Sequence, residues 1–476
     1  MSSESEKFRK YAHQFVDWMA DYMDNVEQYP VKSQVAPREI YHQIESRIPD
    51  EGERIEDIFE DFRKIIIPGI THWQSPNFFA YFQANTSSPS ILAEMLMATL
   101  GVQGMKWDTS PASTELEERM MEWLRDAMAL PKGWTGVIQD TASTATLASI
   151  ITAREQKSDY QVNTKGFEGF TNFRVYCSEQ THSSIEKGVK IAGFGKDNLV
   201  KVPTDDTLAM DTDLLLEYIN MDIAKGYHPL CVVAAIGTTG TMAMDPLKRI
   251  TKITKKHNIW LHVDAAYAGS ALLLPEYQHL INGLENADSF VFNPHKWLFT
   301  NFDCSAYFVK DKDALVNTFA ILPEYLKTKT DGLVANHCDW GIPLGRRFRS
   351  LKLWFVLRHY GLKGLQEKLR FHIELAEWLK DEIVKSPDFE MAVPRSMNLL
   401  CFYYKPSHLK NISIEKQNML NEKLLNNLNS SGEIYLTHTK INDVFILRIS
   451  IGQTNVRHTH ISKAWRFIQE MAKGIL

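Results

Sequence analysis

Apolar positions along the chain recur with two different periods, and the change from one to the other divides it. Within residues 7–25, Phe8, Tyr11, Phe15, Trp18, Met19, Tyr22 and Met23 fall at helical spacing, which predicts an amphipathic helix with an aromatic stripe. That stripe has to be buried, against its own chain or against a neighbouring subunit. From about residue 136 to 309, short β-rich runs (173–177, 230–236, 259–263, 290–292 and 304–309) alternate with amphipathic helical stretches. Asp245-Pro246 is predicted to open one of those helices as N-cap and first helical residue. Such alternation predicts an α/β domain with a largely parallel sheet, whose ligands bind where strands end and loops begin. Beyond Phe355 the pattern turns helical and charged. Two more β-rich runs follow at 399–404 and 444–451, and a helix from about Thr459 closes what reads as a smaller α+β domain. No internal repeat or low-complexity stretch interrupts this order.

Composition narrows the classes. With 476 residues, 44% hydrophobic and 23% charged, the chain is of ordinary globular type and too long for one simple core, so two or three packed units are expected. A net charge of −5, with no block of basic residues, argues against nucleic acid and anionic membrane as partners. The five cysteines are scattered and never form a C-x-x-C pair, which argues against a disulfide framework and a zinc site and fits a reducing compartment. The first residues lack the apolar core of a signal peptide, and no run is long enough to span a bilayer. A soluble, cytoplasmic protein without a metal is expected.

Four local features carry candidate chemistry, each just after a predicted strand or at a helix start. Asn293-Pro294-His295-Lys296-Trp297 places a lysine in a mostly uncharged neighbourhood, where desolvation would make its amine a nucleophile; alone, it also reads as an exposed loop lysine. Leu261-His262-Val263-Asp264-Ala265-Ala266-Tyr267-Ala268-Gly269 delivers one acid into a patch of small residues, against which a flat ring could lie; a strand-end aspartate capping a turn is the plainer reading. Gln139-Asp140-Thr141-Ala142-Ser143-Thr144 opens a helix with hydroxyls and free amides suited to a phosphate, as many N-caps do. Gln180-Thr181-His182-Ser183-Ser184 offers a histidine that could stack on a cofactor, move protons or serve structure alone. A phosphate cradle, a carboxylate, a stacking histidine and a lysine able to form a Schiff base are together what pyridoxal phosphate requires. No G-x-G-x-x-G, Walker-type loop or H-E-x-x-H offers a rival cofactor.

These residues resemble the aromatic-L-amino-acid decarboxylases of the group II pyridoxal-phosphate decarboxylase family. The likeness includes Thr71-His72-Trp73, Phe79-Ala80-Tyr81-Phe82, Ser110-Pro111-Ala112 and Glu115-Leu116-Glu117. It continues through His182, Asp264, 293–297 and Asn301-Phe302-Asp303-Cys304-Ser305 to the long match at 342–352, and weakens over the C-terminal third. The resemblance implies that Lys296 binds the cofactor covalently, Asp264 keeps its pyridine nitrogen protonated, His182 stacks on one ring face and Ala266 packs on the other. It further implies that Ala142, Ser143, Asn293 and His295 hold the phosphate and that Thr239 sits near the ring's phenolic oxygen. The implied fold is the α/β aspartate-aminotransferase-like (type I) fold: a mostly parallel seven-stranded-type sheet flanked by helices, with an N-terminal helical segment and a small C-terminal α+β domain. The corresponding division is 1–85 for the N-terminal dimerisation segment, 86–355 for the cofactor-binding domain and 356–476 for the small domain. An obligate homodimer with interfacial active sites is also implied, its N-terminal helix lying across the partner.

The activity so implied is decarboxylation of an aromatic L-amino acid. Tyr325, in Leu322-Pro323-Glu324-Tyr325-Leu326-Lys327, resembles the proton donor at the start of the family's catalytic loop. Related aldehyde synthases, which consume oxygen, carry phenylalanine at that position or asparagine at the position of His182. This chain keeps both decarboxylase residues, so the synthase is the nearer alternative, an aminotransferase a more distant one, and an inactive cofactor-binding scaffold the alternative from another class. Trp73, Tyr81, Phe82, Met105 and Trp297 are expected to form the substrate pocket, Met105 from the partner, although some of these aromatics can equally be core. At the position of Gly345, plant members of the resembled family carry glycine with indolic substrates and serine with phenolic ones, whereas animal members with glycine are broad, so tryptophan, 5-hydroxytryptophan, DOPA, tyrosine and phenylalanine all stay open. Gln83, Ala84, Gln103, Met105 and Asp140 depart from the better-known animal members and bear on substrate preference.

Overall fold

The computed structural model describes residues 3–321, 334–409 and 412–475. It contains two compact units: Ala84–Phe371, and Met1–Gln83 together with His372–Leu476. The N-terminal segment and the C-terminal α+β segment therefore share a unit.

The larger unit is built on a seven-stranded sheet: β1 (Thr135–Gln139), β2 (Phe173–Ser178), β3 (Leu199–Val202), β4 (His228–Ala235), β5 (Trp260–Asp264), β6 (Ser289–Phe292) and β7 (Ser305–Val309). Their order is β1-β7-β6-β5-β4-β2-β3, and β7 runs antiparallel to both neighbours while the other pairings are parallel. This is the expected α/β, mostly parallel sheet. Its inner strands read as continuous apolar runs because both faces are covered: β6 and β7 are buried throughout, and β4 after its first residue. The periodicity did not isolate β1 or β3. β1 contains Gly136, where a Cβ would lie 2.4 Å from Met121 Cε and 2.9 Å from the Phe308 ring, so glycine there is a packing requirement and not a turn signal. β3, Leu199–Val202, is a four-residue edge strand too short to register as a run of its own.

Asp245 does not cap its helix. The helix spans Leu247–His257 with Pro246 at the cap, and the Asp245 carboxylate instead accepts the backbone N–H groups of Met210 (2.8 Å) and Ala235 (2.7 Å). Burial pushes that carboxyl up to about 6.

The second unit carries an antiparallel sheet of β8 (Phe389–Met391), β9 (Leu399–Tyr404), β10 (Thr437–Ile441) and β11 (Val444–Ser450), ordered β10-β11-β9-β8. Phe402, Leu447 and Ile449 meet Leu424, Leu428, Trp465 and Ile468 of the two closing helices in its core. The sheet's two edge strands escaped the sequence pattern: β8 is three residues long and β10 is only half-buried on alternate positions. The first helix, Glu4–Asn25, starts in a capping box between Ser3 and Glu6. Phe15 stacks on Phe59 at 4.5 Å and Trp18 meets Phe62 edge-on at 5.2 Å, yet no residue of the helix is buried and Phe8 is 67% exposed. Packing on its own chain thus covers one side of the stripe only. Among the described residues no helix is long and apolar enough to cross a membrane.

One buried ion pair ties helix Pro111–Ala127, strand β1 and two loops of the larger unit together. Glu117 accepts the Ile138 N–H at 2.8 Å and the Arg346 guanidinium at 2.7 Å, and that guanidinium also donates to the Ile138 carbonyl at 2.7 Å. The Arg346 N–H in turn donates to Gln103 Oε1 at 2.6 Å. Burial alone would raise the Glu117 carboxyl, but the charges of Arg346 and the nearby His337, with these hydrogen bonds, hold it below the usual carboxylate range. A lowered carboxyl stabilises the fold above its unfolded-state value, and that stabilisation is lost as pH falls through the folded value. Arg346→Met should therefore cost about 3–5 kcal/mol and move acid unfolding to higher pH. Urea titrations across the acid range check this, and an unchanged acid midpoint would remove the pair from its stabilising role.

Candidate functional site

Parallel strands deliver their C-terminal ends to one edge of the sheet. Ala235 stands opposite Asp264, and Asp264 opposite Val291, so β4, β5 and β6 end side by side. Antiparallel β7 begins at that edge, with Ser305 opposite Gln139 and Ala306 opposite Phe292, which brings the end of β1 to the same place. The turns after these strands carry Ala142 and Ser143 (after β1), His182 (after β2), Thr239 (after β4), Asp264 and Ala266 (ending β5), and Asn293, His295 and Lys296 (after β6). Nine residues singled out from separate stretches of sequence thus share one edge of the larger unit.

The helix start offers donors without acceptors. In helix Ala142–Lys157 the Thr141 hydroxyl accepts the Thr144 N–H, and the Thr141 carbonyl accepts that of Ala145. The N–H groups of Ala142 and Ser143 have no acceptor among the described residues, and they lie at the positive end of the helix dipole. Asp140 turns its carboxylate onto the Thr141 N–H at 2.7 Å. Asn293 Oδ1 accepts the Ser305 hydroxyl at 2.6 Å, which leaves its amide N–H groups to donate elsewhere. His295 accepts the Cys304 N–H on Nδ1 at 2.9 Å; burial lowers its imidazole to about 3, so it is neutral, with Nε2–H as its donor. Such a set of uncharged donors at a helix start suits a phosphate.

Deeper along the edge, Asp264 accepts the Ala266 N–H on Oδ1 at 3.0 Å, and its other oxygen has no hydrogen-bond partner among the described residues. Burial raises this carboxyl, partly offset by that N–H and by the charges of Lys296 and His182. A carboxylate so placed calls for a cationic partner, which a protonated pyridine nitrogen provides. His182 keeps its ring fixed through Nδ1, which accepts the Ser184 N–H at 3.1 Å and lies 2.8 Å from the Ser184 hydroxyl. Desolvation lowers the His182 imidazole, and Asp264 opposes that shift. Lys296 sits on the short turn Pro294–Trp297 and is half-buried. These residues fit pyridoxal phosphate at both ends of the molecule.

The expected substrate residues divide between the units. In the larger one Met105 is half-buried and Gly345 exposed; a Cβ on Gly345 would stand 3.2 Å from Gln103 Nε2, so the Gln103 amide fills the space beside it. Trp297 is fully buried, parallel to Tyr267 at 5.2 Å, and so occupies a packing position. In the other unit Trp73 and Tyr81 stack at 5.7 Å, and Phe82 is buried under the guanidinium of Arg448 at 4.6 Å. Arg448 also donates to the Tyr81 carbonyl at 2.7 Å, supporting a tyrosine held at φ +52°. Tyr325 lies outside the described residues.

Three supporting residues were not legible in the sequence. Asn85 donates its side chain to the Lys296 carbonyl (2.6 Å) and its backbone N–H to that of His295 (3.1 Å), fixing the lysine turn from 211 positions away. Ser305 orients Asn293, and Arg448 orients Tyr81. Each acts over long range, so no local spacing announces it.

A family model described as the pyridoxal-dependent decarboxylase conserved domain matches residues 37–405. Tyrosine decarboxylase 2 of Narcissus pseudonarcissus is 41% identical, covering 99% of this chain and 95% of its own. Phenylacetaldehyde synthase of Arabidopsis thaliana is 42% identical, over 99% and 97%. The crystal structure of Catharanthus roseus tryptophan decarboxylase in complex with L-tryptophan superposes with a TM-score of 0.93 at 39% identity, covering 100% of both chains.

Ala142 is the first residue of its helix, where proline is tolerated and removes only an N–H with no acceptor in the helix. Ala142→Pro should weaken retention of pyridoxal phosphate roughly tenfold while leaving the melting temperature of the cofactor-stripped chain unchanged. Equilibrium dialysis checks it, and undiminished affinity would exclude the helix start as the phosphate site.

Proposed function

The chain belongs to the pyridoxal-dependent decarboxylase family, and on that premise we propose that it converts aromatic L-amino acids to the corresponding arylalkylamines and CO2. Pyridoxal 5′-phosphate is its cofactor. Family membership alone leaves two outcomes, since relatives at about the same identity are named as decarboxylases and as an aldehyde synthase. The observation that carries our choice is His182 beside Asp264 and Lys296 at the strand edge, together with Tyr325 in the sequence.

When bound, pyridoxal phosphate supplies an electron-accepting ring for the electron pair of the breaking Cα–carboxylate bond. Lys296 is assigned to bind it through Nζ. Asp264 keeps a proton on the pyridine nitrogen, and its burial makes that pairing stronger than it would be in water. His182 and Ala266 are assigned to the two ring faces, Ala142, Ser143, Asn293 and His295 to the phosphate, and Thr239 to the phenolic oxygen. Tyr325 is assigned to deliver a proton to Cα through its hydroxyl. That proton ends the reaction at the amine; without it, oxidation to the aldehyde competes. Trp73, Tyr81, Phe82, Met105, Trp297 and Gly345 are assigned to the substrate's ring.

A homodimer belongs to the same proposal. Helix Ser88–Leu100 leaves Leu92, Met95, Leu96 and Leu100 exposed at helical spacing, and the first helix leaves Phe8, Val16 and Met23 exposed. Apolar stripes of this kind suit a second copy of the chain. A monomer mass by light scattering would remove that part. The five free, buried cysteines suit the reducing cytoplasm we assign to it.

Incubating the purified protein and cofactor with tryptophan, 5-hydroxytryptophan, phenylalanine, tyrosine, DOPA, histidine and glutamate, and quantifying CO2, amine, aldehyde and peroxide, tests the proposal. Amine equal to CO2 from the aromatic substrates alone is the expected result. Aldehyde with peroxide would move the chain to the synthases, and absence of CO2 would end the decarboxylase reading. Tyr325→Phe should divert product from amine to aldehyde; an unchanged amine yield would remove Tyr325 from its role.

A further inference from the structure

Beneath the cofactor edge, a row of polar side chains, fully buried at Thr146, Ser149, His262 and Ser289, runs between helix Ala142–Lys157 and strand β5. Trp260, His262 and Asp264 alternate along β5 and so share one face of the sheet. On the helix, Ala142, Thr146 and Ser149 fall at spacings of four and three and share one stripe. The two series meet in rungs. The Trp260 indole N–H donates to Ser149 Oγ at 2.8 Å, and His262 Nε2 lies 3.0 Å from Thr146 Oγ1. One step further along each series stand Asp264 on the strand and Ala142 at the helix start, where the cofactor would lie.

The row is continuous. Ser149 Oγ accepts the Trp260 indole N–H and lies 2.8 Å from Ser289 Oγ. His262 has a hydroxyl against each ring nitrogen, Ser289 Oγ 2.9 Å from Nδ1 and Thr146 Oγ1 3.0 Å from Nε2. Thr146, Ser149, His262 and Ser289 have no measurable exposure, so the imidazole is neutral and no water can replace a lost bond. His262 thereby ties three elements together: its own strand, two residues before Asp264; strand β6, which leads to Lys296; and the helix whose first turn carries Ala142 and Ser143.

We infer that His262 is a positioning residue for the cofactor, setting the height of the phosphate-holding helix start against the Asp264 carboxylate through the hydrogen bond between its Nε2 and Thr146. The inference rests on the assignment of that helix start to the phosphate. His262 touches neither cofactor nor substrate in this account; it acts by fixing how far apart the two ends of the cofactor's seat stand.

The test uses the full-length holoenzyme. His262→Gln sets an amide near the Nε2 position and can keep the bond to Thr146, whereas His262→Asn sets it near Nδ1 and can keep only the bond to Ser289. Thr146→Val removes one hydroxyl from a side chain of the same shape. Cofactor retention is read from bound visible absorbance after dilution, alongside the melting temperature of each cofactor-stripped chain. Retention should fall roughly tenfold in His262→Asn and Thr146→Val, and stay within about threefold of wild type in His262→Gln, while the two His262 variants melt alike when stripped. Equal retention in the two His262 variants, or wild-type retention in Thr146→Val, overturns the inference. Thr146→Val carries the test alone if a His262 variant fails to fold. Undiminished retention in Ala142→Pro would instead overturn the phosphate assignment beneath it, so the two failures are distinguishable.

Discussion

A carboxylate drawn partly out of water at the end of an inner strand is the constraint around which the larger unit is arranged. Asp264 has one backbone N–H and the fields of Lys296 and His182 in its favour, and burial still raises it. Its position is fixed from both sides. A Cβ on Gly269 would lie 2.4 Å from Phe292 Cβ, and one on Gly237 2.7 Å from Ala268 Cβ, so the turns after β4 and β5 pack as closely as backbone allows. An unpaired charge in such a place is destabilising, and a cationic ring nitrogen offsets that cost when the cofactor binds. Affinity and electronic activation then come from one contact.

The phosphate end is arranged by a different rule. Its candidate donors are neutral: two N–H groups at a helix start, an amide oriented by Ser305 and an imidazole kept neutral by burial. Neutral donors fixed by their own hydrogen bonds hold an anion without adding mobile positive charge beside the reacting lysine. Asp140 brings a carboxylate to the turn just before this cradle, but bonds it to the Thr141 N–H, so its charge is partly absorbed by the same helix start.

Much of this could be read in the sequence, for definite reasons. β2, β4, β5, β6 and β7 announced themselves because strands covered on both faces are almost wholly apolar, and most of the candidate site residues because they stand at or just past the ends of such strands. What escaped was set by long-range packing. β1 hid behind a glycine required by Met121 and Phe308, Asp245 turned from its helix to two distant N–H groups, and Asn85 reaches the Lys296 turn across the chain. Trp297 shows the limit from the other side: its place beside the lysine suggested a pocket wall, while its ring is wholly buried against Tyr267. His262 stood in a quoted motif, but its role needs partners on a helix and a neighbouring strand that no spacing connects.

The pairing of Asp264 with a protonated ring nitrogen is the contact on which the proposed chemistry most directly depends. Magnetic resonance of the holoenzyme carrying pyridoxal phosphate with an isotopically labelled ring nitrogen reads that protonation state. The prediction is a protonated nitrogen in the wild-type protein at neutral pH and an unprotonated one in Asp264→Asn. An unprotonated nitrogen in the wild type, or the same state in both proteins, would contradict the central role given to this carboxylate.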